Sequence, residues 1–235
     1  MARVQNDRRI FLVAGTVGAG ALLAGCAPAV AAPAKAAGPG EAEDVSPVED
    51  LMREHGVLRR ILLLYGEVIR RVEHQEPFPL EALTAATGII RRFVEDYHEK
   101  LEEDFVFPRF ERANKLVDLV TVLRQQHQAG RRVTDAIQGL ATPAGVQGAE
   151  GRAKLVAGLH AFIRMYAPHS AREDTVLFPA FRPLVGAKEY DALGDAFEDK
   201  EHALFGPKGF EGVVVEVTQL EKALGIYDLA SFTPR

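Results

Sequence analysis

From residue 46 onward, apolar side chains recur at steps of three and four, the period of a helix with one buried face. Leu51, His55, Leu58, Leu62, Tyr65 and Ile69 form the first such stripe, and Pro77 and Pro79 end it. Ser46-Pro47-Val48-Glu49 opens it with an N-cap serine, a proline at the first helical position and a glutamate at the third. A second helix is predicted over about residues 80–104, with Ile90, Val94, His98, Leu101 or Glu102, and Phe105 inward. A third, over about residues 115–140, aligns Leu116, Val120, Leu123, His127, Thr134 and Ile137. After a loop with Pro143, Gly145 and Gly148, a fourth aligns Leu155, Leu159, Phe162, Tyr166, His169 and Glu173.

Four such helices with short connections predict an all-α chain, an up-down-up-down four-helix bundle over residues 46–182. Two additional C-terminal helices are expected within residues 183–235. They run from Tyr190 to about Glu201 and from Phe210 to Leu224, laid across the bundle as a cap.

The first 45 residues break the pattern. Arg8-Arg9 precedes a segment without charge from Ile10 through Val30, too short and too rich in Gly and Ala for a spanning helix. Residues 1–25 read as a signal peptide that resembles the twin-arginine type, although Asp7 and Val13 depart from the usual flanking residues. Leu23-Ala24-Gly25-Cys26 resembles a lipobox, which implies cleavage before Cys26 and a lipid on its sulfur. Residues 26–45, dominated by Ala, Pro and Gly, then form a tether. The expected location is exported, periplasmic or extracytoplasmic, as a membrane-anchored lipoprotein whose only membrane contact is that lipid.

Composition narrows the chemistry. With 28 Lys and Arg against 33 Asp and Glu, the net charge of −5 provides no basic field for nucleic acid. One Cys excludes an internal disulfide framework and any cysteine-rich metal site, so metal chemistry must use His and carboxylates.

The half of the chain that holds helices one and two is echoed by the half that holds three and four. His98-x-x-x-Glu102 followed by Phe107-Pro108 is matched by His169-x-x-x-Glu173 followed by Phe178-Pro179, at an offset of 71. His55 with Arg59-Arg60 is matched by His127 with Arg131-Arg132, at an offset of 72. Residues four apart on a helix share a face, so each His–Glu pair can address one centre, and His55 and His127 can reach it from facing helices. Burying four imidazoles and two carboxylates without partners costs several kcal/mol per ion, whereas a metal satisfies them. The other reading is a hydrogen-bonded His–Glu network. Mixed imidazole and carboxylate ligands favour first-row transition metals, and Glu102 and Glu173 are placed to bridge two ions. His55 with His98 and His127 with His169 is one pairing of imidazoles to ions. Neither ion is saturated by protein, which leaves positions for water, an oxo or hydroxo bridge, O2, NO or peroxide.

In these residues the chain resembles the hemerythrin-like, or HHE cation-binding, family over residues 46–181. The resemblance implies two non-haem iron ions, oxo- or hydroxo-bridged, with His55, His98, Glu102, His127, His169 and Glu173 as metal ligands. It does not imply one activity, since the family includes oxygen carriers, sensors, and proteins of NO, peroxide and iron–sulfur repair chemistry. Oxygen-carrying members have His-x-x-x-His on the third helix, whereas Arg131 stands four residues after His127 here. The missing imidazole disfavours simple oxygen carriage. The expectation is an exported di-iron protein that binds or reacts with O2, NO or peroxide, with an electron donor if it turns over. The alternative is a non-catalytic metal-binding or iron-storage bundle.

Outside the six, His74 is expected near a helix end and His160 at the surface or bundle edge. His202 either closes the bundle mouth, as gate or seventh ligand, or is a solvated cap residue. Tyr166, one turn before His169, is read as hydrogen-bonding a bound ligand, relaying an electron or filling the core. Glu99, Glu103 and Asp174 are read as solvated helix faces, and Arg59-Arg60, Arg91-Arg92 and Arg131-Arg132 either as exposed bundle faces or as neutralising acidic groups beside the ligands.

Overall fold

The computed structural model describes residues 45–234, all helical or connecting, with no strand among the described residues. The segment expected to be a signal peptide, Cys26 and nearly all of the expected tether lie outside them. No helix of the described residues is long and apolar enough to cross a membrane.

Helix α1, Pro47–Glu73, starts where expected: Ser46 Oγ accepts the Glu49 backbone N–H at 3.3 Å. Glu49 and Asp50 occupy its first turn and Arg70 and Arg71 its last, each sign matched to the helix dipole. Helix α2 is one continuous rod over residues 80–112, α-helical over Leu80–Ile89, Glu99–Leu101 and Phe107–Arg112 and π-helical over Ile90–His98 and Glu102–Val106. Helix α3, Val117–Leu140, follows a turn with Asn114 and Leu116 in left-handed backbone conformations. After the single-turn α4, Pro143–Gln147, the rod α5 covers residues 149–181 as Ala149–Arg172, π-helical Glu173–Leu177 and Phe178–Phe181. Helices α6, Ala187–Phe205, and α7, Gly209–Ala223, complete the chain's main elements.

The π-helical turns over Glu102–Val106 and Glu173–Leu177 follow from the two Phe-Pro tails. Pro108 and Pro179 have no N–H for the carbonyl four residues back, and each ring crowds that carbonyl, so the preceding turn widens. Phe107 N–H instead reaches the carbonyl of Glu102, and Phe178 N–H that of Glu173, both five residues back. The extra residue per turn moves the buried face. Val106 with Phe107, and Leu177 with Phe178, are buried. Phe105, expected inward, instead meets Phe197 of α6 at 5.6 Å between ring centroids.

Helix α5 packs along both α1 and α3, α1 and α3 also pack on α2, and α6 and α7 pack on each other and on α1. Tyr65, Phe93, Phe107, Phe110, Phe162, Phe178, Phe181 and Phe197 are all fully buried. Each contributes about 1.5–3 kcal/mol relative to exposure, which supports the polar cluster described next.

Candidate metal centre

His55 on α1, His98 and Glu102 on α2, His127 on α3, and His169 and Glu173 on α5 meet in the interior, none more than 4% exposed. His55 Nε2 lies 3.3 Å from Glu173 Oε2, and His169 Nε2 lies 3.1 Å from the same oxygen. His127 Nε2 is 3.4 Å and His98 Nε2 3.7 Å from Glu102 Oε2, and the Nε2 atoms of His55 and His98 face each other at 3.1 Å.

Each imidazole is held from behind through Nδ1. His55 Nδ1–H donates to Asp174 Oδ1 at 2.7 Å, and His98 Nδ1–H to Glu54 Oε2 at 2.6 Å. His127 Nδ1–H donates to Glu103 Oε1 at 3.1 Å, and His169 Nδ1–H to Gln126 Oε1 at 2.8 Å. A neutral imidazole that donates through Nδ1 carries its lone pair on Nε2. Four Nε2 atoms therefore converge on two carboxylates, and in the neutral state the Nε2 lone pairs of His55 and His98 at 3.1 Å repel each other unless a cation or proton lies between them. His127 Nε2 and both carboxylate oxygens of Glu102 and of Glu173 have no hydrogen-bond partner. The 3.4 Å approach of His127 to Glu102 is close but not aligned as a hydrogen bond. These atoms point at common centres rather than at one another.

The donor set fits a pair of metal ions. Ligand atoms at about 2.0–2.2 Å from one ion stand about 3.0–3.4 Å apart, close to the separations present here. Ligand atoms of Glu102, His127, His169 and Glu173 all lie within 4.8 Å of one another, as do those of His55, His98 and Glu102. Glu102 is common to both groups. Burial, with the Glu173 carboxylate facing it, drives the Glu102 carboxyl well above its usual range. Burial likewise pushes His127 down to about 4 against the opposing pull of Glu103. The protein alone thus resists charging Glu102 and His127, whereas, against burial, His169 and His55 hold the Glu173 carboxyl well below its usual range and Asp174 with Glu173 raises His55 to about 9; a cation is the partner that lets Glu102 ionise as well.

Neighbouring side chains seal and brace the cluster. Phe107 stacks on His127 at 5.4 Å and Phe178 on His55 at 5.5 Å, so each Phe-Pro tail covers an imidazole from the opposite half of the repeat. Arg59 pairs with Asp174, and Arg131 with Glu103 at 2.9 Å and Glu99 at 2.8 Å. Tyr166 Oη donates to Glu99 Oε1 at 2.6 Å while its ring meets His169 edge-on at 5.4 Å. Gly130 makes this possible: a Cβ there would fall 2.7 Å from Tyr166 Cζ and closer still to the hydroxyl.

Several side chains behave differently from the sequence expectation. Glu99, Glu103 and Asp174 are not solvated faces, because packing turns each of them toward the imidazoles or toward Tyr166. Arg131, mostly buried, pairs with Glu99 and Glu103, and Arg59 pairs with Asp174 while its side chain stays 46% exposed, so the neutralising reading of these two arginines holds. Glu54 and Gln126 drew no notice in the sequence, yet they share a signal: each immediately precedes a first-helix histidine, at the repeat offset of 72. His74 and His160 are exposed, and His202 is half-buried outside the cluster. From α6 it is the adjacent Glu201 that is fully buried, beside Asp50 and Glu54.

Residues 46–181 match the hemerythrin HHE cation-binding domain. Over 190 residues the chain is 52% identical to an uncharacterized protein of Mycobacterium bovis and to uncharacterized proteins of two Mycobacterium tuberculosis strains. The alignment covers 81% of this chain and 74% of each relative. No solved structure matches the chain.

Proposed function

Starting from the premise that this chain belongs to the hemerythrin HHE cation-binding family, we propose that His55, His98, Glu102, His127, His169 and Glu173 hold two non-haem iron ions in an up-down-up-down four-helix bundle. One observation carries this reading: four imidazoles, each anchored through Nδ1, aim four Nε2 atoms at two buried carboxylates whose oxygens lack hydrogen bonds. When bound, an oxo- or hydroxo-bridged iron pair supplies Lewis acidity and one-electron redox chemistry toward O2, NO or peroxide.

The protein's own contribution is placement and exclusion. Asp174, Glu54, Glu103 and Gln126 hold the rings at fixed tautomer and angle, so the ligand atoms are preorganised. Phe107 and Phe178 keep water from two of the imidazoles. The Tyr166 proton is committed to Glu99 Oε1, which removes that hydroxyl from direct contact with a small ligand. Arg131 ties down Glu99 and Glu103 from the position where oxygen carriers place a further histidine. With one imidazole fewer, the centre favours sensing or redox turnover with an electron donor over reversible oxygen carriage. The Arg8-Arg9 and Cys26 motifs support export with a lipid anchor.

The test is metal content by mass spectrometry on protein from the exported fraction, with absorption spectra before and after reduction and on return to air. About two irons per chain and a charge-transfer band that bleaches on reduction are expected. Iron-free protein, or a single tightly held zinc, would overturn the reading. Uptake far beyond two irons per chain would favour storage instead.

A further inference from the structure

The repeat that equates the ligands also equates their supports. Asp174 and Glu103 each follow a ligand glutamate, each hold the first-helix histidine of the opposite half, and each pair with the arginine four residues after that histidine. These two supports match in charge and in partner. Glu54 and Gln126 also match in position, each preceding a first-helix histidine and each holding the second-helix histidine of its own half. They differ in charge, since one is a carboxyl side chain and the other a neutral amide. Of the four supports, this is the pair at which the two halves part company.

The difference has a direct chemical effect. A carboxylate pulls on an Nδ1–H and pushes electron density onto the ring, making Nε2 a stronger donor, whereas an amide oxygen does so weakly. Glu54 is also buried, and it sits beside Asp50 and Glu201, so carboxyl side chains gather behind His98. Behind His169 stands the amide, and the charge of the neighbouring Glu103 is offset by Arg131.

We propose that Glu54 and Gln126 are paired positioning residues that make the two halves of the centre unequal, the His98 half binding a divalent transition metal through a stronger imidazole donor than the His169 half. The inference rests on the metal-centre reading above and concerns which residues set the inequality.

Cobalt(II) serves as the probe, titrated into the purified chain against a competing chelator and followed by its d–d absorption. Wild type, Glu54→Gln, Gln126→Glu and the double swap are compared, with melting curves as a folding control. Wild type takes two cobalt ions in two steps. Glu54→Gln weakens one step about 10- to 100-fold and leaves the other in place. Gln126→Glu tightens the other step about tenfold, a gain that misfolding cannot produce. Two steps unchanged in both variants, or both variants acting on the same step, would overturn the inference while leaving the metal centre standing. A wild-type chain that takes up no cobalt would remove the centre and the inference together.

Discussion

Gly130→Ala is the substitution whose sign depends most directly on the packing around Tyr166. In an unobstructed helix interior this change stabilises by up to about 1 kcal/mol, because glycine loses more backbone freedom on folding. At Gly130 the new methyl meets Tyr166 at 2.7 Å from Cζ and 2.9 Å from Cε2, so the ring must move. That ring is fully buried between Phe162 and His169. Overpacking of this kind costs about 1–3 kcal/mol. Displacing Tyr166 Oη from Glu99, whose carboxyl burial raises to about 8, removes a buried hydrogen bond, about 0.5–1.5 kcal/mol more. Set against the propensity gain, the net is a destabilisation of roughly 0.5–3.5 kcal/mol. Gly139 lies on the same helix with nothing near its missing Cβ, so Gly139→Ala serves as a control of opposite sign. Urea unfolding followed by helical circular dichroism measures both variants. Gly130→Ala should lower the midpoint and Gly139→Ala should leave it level or raise it. A Gly130→Ala chain as stable as Gly139→Ala would refute the packing argument for Tyr166.

Three further outcomes are expected. Stripping metal with a chelator lowers the melting temperature, since an ion bound at a hundred times its dissociation constant adds about 2.7 kcal/mol of stability; scanning calorimetry showing identical melts would count against a metal-coupled fold. Glu102→Gln, which alters the residue common to both ligand groups, reduces bound metal below two ions per chain by mass spectrometry, and unchanged stoichiometry would show that Glu102 is not shared. Phe178→Ala opens a cavity over His55 and costs about 3–5 kcal/mol in denaturant unfolding; a loss under about 1 kcal/mol would mean that the ring does not seal the imidazole.

Much of this was legible in the residues taken in order. The stripe through Leu51, His55, Leu58, Leu62, Tyr65 and Ile69 is a buried or nearly buried face of α1, and Val120, Leu123, His127, Thr134 and Ile137 are buried on α3. The six site residues stood out because His-x-x-x-Glu occurs twice with the same tail, and the structure brings all six together. Phe105 was misread for an identifiable reason. Counting at 3.6 residues per turn assumes a regular helix, and the π-helical turn over Glu102–Val106 inserts one residue into that count. Pro108 carried the warning, since a proline six residues after Glu102 cannot complete the turn before it.

Local chemistry acts through neighbours in the chain, so it can be read from the chain: where helices start, which face is apolar, which His and Glu share that face, and where proline interrupts the ladder. Which helices face one another depends on how the stripes pack, and no single stripe carries that information. Packing alone set Asp174 behind His55 across 119 residues and Gln126 behind His169 across 43. It also turned Glu99 toward Tyr166 and placed Glu201 of α6 beside Glu54. A charged residue on a helix looks the same in sequence whether it meets water or an imidazole. Tertiary structure decides between them, because the energy of a buried charge depends on partners far away along the chain.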